Sequence, residues 1–223
     1  MTLATAAEID AASEARSAMY GALAHAWEFP DRESHARLQD GSFRDEVAAI
    51  VAGLPYDLAA DDVDRLTAAD EYVDVQAEYI RLFDVGAVRP PCPLYGGEWG
   101  MPRRRSMEDA LRFYQYFGLK LSADQRELPD HATVQFEFMQ VMAFTEGTAR
   151  ARDADAGALL RAERDFLARH LGRWWPLLRG KVATLEPLPF YDALTALTDA
   201  FLAEDARYLK QLVRGLPVPN SDD

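Results

Sequence analysis

The sequence predicts an all-α fold: a single bundle-like body of eight to ten helices with one long proline- and glycine-rich irregular loop. Three observations predict it. Apolar residues recur at steps of three and four through most of the 223 residues. No segment alternates apolar and polar residues between hairpin turns. Between Asp84 and Pro102 the chain concentrates Pro90, Pro91, Pro93 and Pro102 with Gly86, Gly96, Gly97 and Gly100. Proline fixes φ and removes a donor, and glycine permits positive φ, so neither helix nor strand persists there. The stretch still carries Val85, Val88, Leu94, Tyr95 and Trp99, an apolar content that disordered segments lack. It reads as a packed loop that shapes a surface, held by the helices around it.

The first helix is expected from Glu8 to Phe29. Ile9, Ala12, Met19, Leu23 and Trp27 form its stripe, small Ala15 and Ala18 fill the gap, and Pro30 ends it. Ser34 to Leu54 reads as two short helices carrying Leu38, Phe43, Val47, Ile50 and Val51, broken at Gly41 and closed by Gly53 and Pro55. Asp61 or Asp62 is expected to cap a helix through Val63, Leu66, Val73, Tyr79, Ile80, Leu82 and Phe83 into the loop.

Beyond the loop, Ser106 with Asp109 resembles a capping box for a helix over Leu111, Tyr114 and Phe117 that stops at Gly118. Asp130 is expected to cap the next helix, which opens at Pro129-Asp130-His131. It buries Val134, Phe138, Val141, Met142 and Thr145, widened by Phe136 and Met139, with Gly147 near its end. A helix from Ala154 to Leu171 follows, then an interruption from Gly172 to Pro176. A further helix runs from about Trp175 to Leu185, ended by Pro187 and Pro189. The last helix, Phe190 to Val213, is strongly periodic, and Leu216 to Asp223 reads as a loose tail of the single domain 1–223.

Composition narrows the function. Hydrophobic residues make up 49% of the chain, as in globular proteins. Acidic residues outnumber basic ones 37 to 24, a net charge of −13, which repels nucleic acid and favours basic partners. Cys92 is the only cysteine, so neither an intrachain disulfide nor a cysteine zinc site is available. The N-terminus lacks a basic region followed by an apolar core, and no run of about 18 apolar residues exists. No membrane span is expected, and the cytoplasm is the expected compartment. Arg103-Arg104-Arg105 lies mid-chain with no apolar region behind it, so it reads as a surface or peptide-facing basic cluster.

Residues able to do chemistry are few. His25, His35, His131 and His170 form no HExxH motif and no i,i+4 histidine pair, so no metal site is expected. Asp130 and His131 are helix neighbours, which do not face each other and so do not orient one another as triad members do. Two readings stand: a capping aspartate beside a helix-start histidine, or both facing a ligand at an exposed helix N-terminus. The glycine-rich Leu94 to Gly100 has no GK[ST] after it. Cys92, between prolines and without a nearby base, reads as a small structural thiol. Glu78, Glu98 and Glu137 form no recognisable carboxylate constellation. Tyr95 and Trp99 read as core aromatics or as surface anchors of the kind found in binding hot spots. No catalytic residue and no cofactor are expected. What remains suits a module that binds a peptide or protein carrying basic and apolar residues.

Several short blocks then point to a family. They are Glu78-Tyr-Ile-Arg-Leu-Phe83 leading into Pro91-Cys-Pro-Leu-Tyr95 and Glu98-Trp99, then Leu128-Pro-Asp-His131 with Glu137-Phe-Met139. Phe166-Leu-Ala-Arg-His-Leu171, Trp174-Trp175-Pro176, Pro189-Phe-Tyr191 and Leu197-Thr198 complete the set over residues 70–215. In this order and spacing the chain resembles the TorD/DmsD/NarJ family of cytoplasmic chaperones dedicated to molybdenum-containing redox enzymes. The first 60 residues fit only as generic helices. The resemblance implies a non-enzymatic chaperone that binds the twin-arginine signal peptide, and often the body, of an apo catalytic subunit. Such a chaperone holds its client back from export until molybdopterin is inserted, and its clients belong to the dimethyl sulfoxide reductase superfamily. The residues it implies for the peptide groove are Tyr95, Glu98, Trp99, Pro129, Asp130 and His131. The family loop often has a serine and an aromatic after its prolines, where this chain has Gly96-Gly97-Glu98-Trp99. Two alternatives come from other classes: a small helical enzyme or nucleotide-binding protein using Gly96-Gly97 and His131, and a structural subunit of a mature redox complex. A monomer and a domain-swapped dimer both stay open for a bundle with long connections.

Overall fold

Side-chain capping, glycine and proline set most of the element boundaries in the computed structural model, which describes residues 9–84, 89–122 and 126–217. The Asp10 carboxylate accepts from the Ser13 amide at 3.3 Å and opens α1, Ala11–Ala26. This is shorter than the expected helix, whose first residue, Glu8, lies outside the described residues. The C-terminal end falls before Trp27, whose indole turns into the core. Asp31 and Ser34 form a reciprocal capping box for α2, Arg32–Gln39. Gly41, at φ +80°, then turns the chain into α3, Ser42–Gly53, a left-handed conformation that glycine adopts without penalty.

The helix expected from Asp61 into the loop is two helices. The first, α4 (Ala60–Asp64), is capped by Ala59, with Asp61 and Asp62 inside its first turn. There they complement the helix dipole without capping it. The second, α5 (Tyr72–Tyr79), continues as a π turn over Ile80–Asp84. The irregular loop follows from residue 89, with a 3₁₀ turn at Gly96–Glu98; residues 85–88, part of the predicted loop, lie outside the described residues.

The next helix, α6 (Arg103–Tyr116), starts a turn earlier than the Ser106 capping box predicts. Pro102 precedes it, the three arginines form its first turn, and Ser106 is buried within it. It ends where expected, with Gly118 at φ +69° and the Leu119 amide donating back to the Tyr114 carbonyl at 2.8 Å. The cap of α7, Ala132–Ala151, is His131 and not Asp130. The helix buries Ala143 and Glu146 where the expected stripe had Val141 and Thr145, both of which are exposed. Helix α8 spans Gly157–Arg169 and α9 spans Leu171–Val182. The break between them is at His170, not at Gly172–Pro176. Pro176 sits inside α9, where Trp174, Trp175 and Leu178, all buried, hold the turn against the lost hydrogen bond. Finally, α10 runs Pro189–Arg214, with proline in the first turn.

Helix α1 packs along α7, α10 covers α8 and α9, and α3 lies on α1. Two glycines permit the α1–α7 approach. A Cβ on Gly147 would stand 2.5 Å from Ser13 Cβ and 2.7 Å from Ile9 Cγ1, and Gly21 faces the Gln140 side chain. Gly147 therefore marks a close approach rather than a helix end. Aromatic rings fill the centre in tilted and edge-on contacts, with Trp27 5.0 Å from Trp175 and Phe138 4.5 Å from Phe166.

A second centre is ionic. Arg16 is fully buried, with Nε 2.5 Å from Asp205 Oδ1, Nη2 2.5 Å from Glu163 and Nη1 3.2 Å from Glu146. The hydroxyls of Tyr20 and Tyr56 donate to Asp205 at 2.7 and 2.9 Å. Burial pushes the Glu163 carboxyl up to about 7 despite Arg16. The expected tail is seated at its start: Leu216 packs on the core, and Arg161 donates to the Pro217 carbonyl at 2.6 Å. Residues 218–223 lie outside the described residues. No described helix is long and apolar enough to cross a membrane.

Candidate peptide-binding site

The loop and the start of α7 are joined by main-chain hydrogen bonds. Tyr95 and His131 form an isolated antiparallel bridge, the Ala132 amide donates to the Leu94 carbonyl at 2.8 Å, and the Gly96 amide donates to the Asp130 carbonyl at 2.9 Å. Asp130 is fully buried, and its Oδ2 accepts from the Gly97 amide at 2.9 Å. The expectation that Asp130 faces a ligand at an exposed helix start is thus corrected: its carboxylate holds the loop. Gly97 is required there, since a Cβ would lie 2.6 Å from Arg103 Cα. Burial raises the Asp130 pKa, while the Gly97 amide and the Ser106 hydroxyl oppose the shift. Pro129 is also buried, its carbonyl accepting from Tyr114 Oη at 2.8 Å.

His131 caps α7 through Nδ1, which accepts from the Thr133 amide at 3.3 Å and lies 2.8 Å from the Thr133 hydroxyl. An accepting Nδ1 places the ring proton on Nε2, which points towards Glu127 at 3.9 Å. Burial lowers the His131 pKa to about 4 against the pull of Glu127, so the ring is neutral. The Tyr95 hydroxyl donates to Glu127 at 2.5 Å, and its ring meets His131 edge-on at 4.8 Å.

Tyr95 and His131 open onto a cleft of about 230 Å³. Its aromatic walls are Phe29, Tyr79, Phe83 and Tyr95, and Glu28, Asp84 and Glu127 stand around them. Phe29 is 48% exposed and rests edge-on against Tyr79 at 5.5 Å. Phe83 and Asp84 reach the cleft from the π turn, whose extra residue re-aims the end of α5. Glu137 does not line this cleft but a separate pocket with Tyr114 and Phe138; burial and then Glu28 raise its pKa. Burial, followed by Glu127 and Asp84, raises that of Tyr79. Three carboxylates, Glu28, Asp84 and Glu127, thus share one cleft with aromatic walls, an arrangement that favours an incoming cation.

The other expected residues, Glu98 and Trp99, lie further along the same loop, at and just after its 3₁₀ turn. Glu98 is within 3.3 Å of Arg89 and 3.9 Å of Arg103. The Trp99 indole donates to the Pro93 carbonyl at 2.9 Å and packs against the core beside Trp174. Neither lines the cleft that holds Tyr95 and His131. The cleft residues that sequence reasoning missed are Glu28, Phe29, Tyr79, Phe83, Asp84, Glu127 and Thr133. One signal pointed to Glu127 alone: it stands four residues before His131, within reach of it once the segment turns. Cys92 is fully buried and its thiol is pushed up to about 11, as befits a structural cysteine. No group of histidine, cysteine and carboxylate side chains able to hold a metal exists among the described residues.

The short sequence blocks of the chain serve this architecture. In Glu78-Tyr-Ile-Arg-Leu-Phe83, Glu78 pairs with Arg81 at 2.6 Å and accepts from the Leu188 amide at 3.0 Å, tying α5 to the start of α10, while Tyr79 donates to the Trp27 carbonyl. Comparison with known proteins agrees with them. Residues 42–179 match the family model of the nitrate reductase delta subunit. The chain is 32% identical over 196 residues to the perchlorate reductase assembly chaperone protein of Dechloromonas aromatica, covering 85% of this chain and 88% of that one. It is 29% identical to the selenate reductase assembly chaperone protein of Thauera selenatis, over 89% of this chain and 95% of that one. To the chaperone protein TorD of Vibrio parahaemolyticus it is 24% identical, over 74% and 81% respectively. With a family model matching more than half of its length and relatives named as assembly chaperones, the chain belongs to the nitrate reductase delta subunit family, the TorD/NarJ group of redox-enzyme chaperones, and is not an enzyme.

Proposed function

We propose that this chaperone acts in the cytoplasm on the apo catalytic subunit of a molybdopterin oxidoreductase of the dimethyl sulfoxide reductase superfamily. It binds the twin-arginine signal peptide in the Tyr95–His131 cleft and also engages the body of the subunit. Binding keeps the client from export while cofactor is inserted, and ends when the folded enzyme no longer presents that surface. The observation that carries this reading is the pairing of aromatic walls with surrounding carboxylates in one cleft: Glu28, Asp84 and Glu127 suit guanidinium groups, and Phe29, Tyr79 and Phe83 suit the apolar residues beside them. In this reading Tyr95 and His131 touch the peptide. Pro129 and Asp130 fix the loop that presents them, and Glu98 and Trp99 extend the surface along the loop.

The test is fluorescence anisotropy with a labelled synthetic leader peptide and its Arg-Arg→Gln-Gln counterpart. Solvent-facing charge pairs contribute about 0.5–1 kcal/mol each. Losing two of them therefore weakens binding about five- to thirtyfold. The same loss is expected for Glu28→Gln with Glu127→Gln, together with a shallower salt dependence. Equal affinity for both peptides would remove the leader from this cleft. Capture from the native host then separates chaperone from structural subunit. A cofactor-poor client with its leader attached supports the chaperone reading, and a cofactor-loaded, leaderless complex supports a permanent subunit.

A further inference from the structure

A groove of about 700 Å³ lies between α6 and α8 and shares no lining residue with the Tyr95–His131 cleft. Its α6 wall is aromatic: Phe113, Tyr116 and Phe117 follow one another at helical spacing, and Tyr116 is 80% exposed. Its α8 wall is low, because Ala158 and Ala162 occupy one face of that helix. Helices pack with axes about 8–10 Å apart, and small residues permit the closer end of that range. An aromatic ridge beside an alanine step is therefore shaped for a third helix laid along the two.

The charges around the groove oppose those of the chain as a whole. Arg112, Arg161 and Arg169 line it against Asp109 and Asp165, on a protein whose net charge is −13. Asp109 is engaged by Arg169 at 2.5 Å, and that guanidinium also lies over the Phe113 ring. Asp165 is engaged by Arg164, which is not among the lining residues. Among the described residues neither Arg112 nor Arg161, one on each helix, makes an ion pair, although Arg112 is near enough to Glu108 to help lower that carboxyl's pKa. Arg161 is steadied by the Pro217 carbonyl. A basic helix is repelled by both guanidiniums at the rim, whereas an acidic one meets them.

We propose that this groove docks an acidic amphipathic α-helix of a partner protein. The apolar ridge of that helix lies between Phe113 and Ala162, and its flanking carboxylates rest on Arg112 and Arg161. The site is separate from leader binding and stands or falls on its own.

Two short stapled helices with the same leucine ridge, one flanked by glutamates and one by lysines, test it by fluorescence anisotropy. The glutamate helix is expected to bind at least about tenfold more tightly than the lysine helix. Arg112→Glu with Arg161→Glu is expected to invert that preference, and Ala158→Trp to abolish binding of both. Circular dichroism melts confirm that the variants fold, and leader affinity of the charge-reversed variant is expected to stay within about twofold. Equal binding of the two helices, no binding by either, or survival of the preference in the reversed variant overturns the proposal. A concentration-dependent dimer in light scattering that Tyr116→Asp dissociates would assign the groove to a second copy of this chain and overturn it equally.

Discussion

The amide of Gly97 donates to Asp130 Oδ2 at 2.9 Å, so the most irregular part of the chain is held by a buried carboxylate at the start of its most central helix. Loop and helix start are one structural unit. Asp130→Ala leaves the Gly97 amide without its acceptor and is expected to destabilise the fold by about 1–3 kcal/mol. Asp130→Asn keeps an acceptor and is expected to cost less than about 1 kcal/mol. Urea midpoints of the two variants check the order, and an alanine variant as stable as the asparagine one would break the argument.

Gly147→Ala is expected to cost about 1–3 kcal/mol, because the new methyl meets Ser13 Cβ at 2.5 Å and Ile9 Cγ1 at 2.7 Å and α1 must move. Gly21→Ala meets only the end of the Gln140 side chain and is expected to cost distinctly less. Thermal melts of both variants read the difference. If helix propensity outweighed contact, both would be stabilised.

Arg16→Met removes the cation from three buried carboxylates, Glu146, Glu163 and Asp205. Breaking a buried ion cluster from one side costs about 3–5 kcal/mol. The variant is expected to unfold at much lower denaturant, and to recover in part when Glu163→Gln is added. A double-mutant cycle measures that recovery as a coupling energy.

Stability should depend on pH in two opposed ways. His131 and His170 are both held at about 4 by burial. Their folded pKa values lie below the unfolded ones, so their contribution is complete above about 6.5 and is lost as pH falls towards 4. Glu163, raised to about 7, has the reverse sign. Its contribution is complete below the unfolded value near 4.5 and is lost as pH rises towards 7. Glu163→Gln is therefore expected to gain on the native chain between about pH 4.5 and 7, by up to about 1.4 kcal/mol per pH unit. Urea titrations across that range test this; a pH-independent difference would show that Glu163 does not titrate there.

The helices were legible in the sequence wherever one face carried the core. The last helix, periodic from Phe190 onward, was found within a residue of each end. Gly41 and Gly118 marked their turns because positive φ left them little competition. Boundaries failed where a side chain had a longer-range use. Asp130 looked like a cap and Ser106 like half of a capping box, but both are drawn into the loop contact, and the cap fell to His131. Pro176 looked like a break, yet two buried tryptophans hold α9 through it. Most of the cleft was equally out of reach of local pattern. Tyr95 and His131 stood in recognisable motifs, whereas Glu28 and Phe29 come from the end of α1 and join them only through folding.

Arg16 and Asp205 stand 189 residues apart in the chain. Ribosomes add roughly 5–20 residues per second, so ~10–40 s separate the synthesis of the arginine from that of its carboxylate partner. During that interval the guanidinium has no completed ionic shell, and burying it would cost several kcal/mol. The ionic centre is therefore complete only once the last helix has left the ribosome, and a chain stalled before α10 has Glu146 and Glu163 but lacks Asp205 for Arg16. A redox-enzyme chaperone thus passes through a long unfinished state of its own.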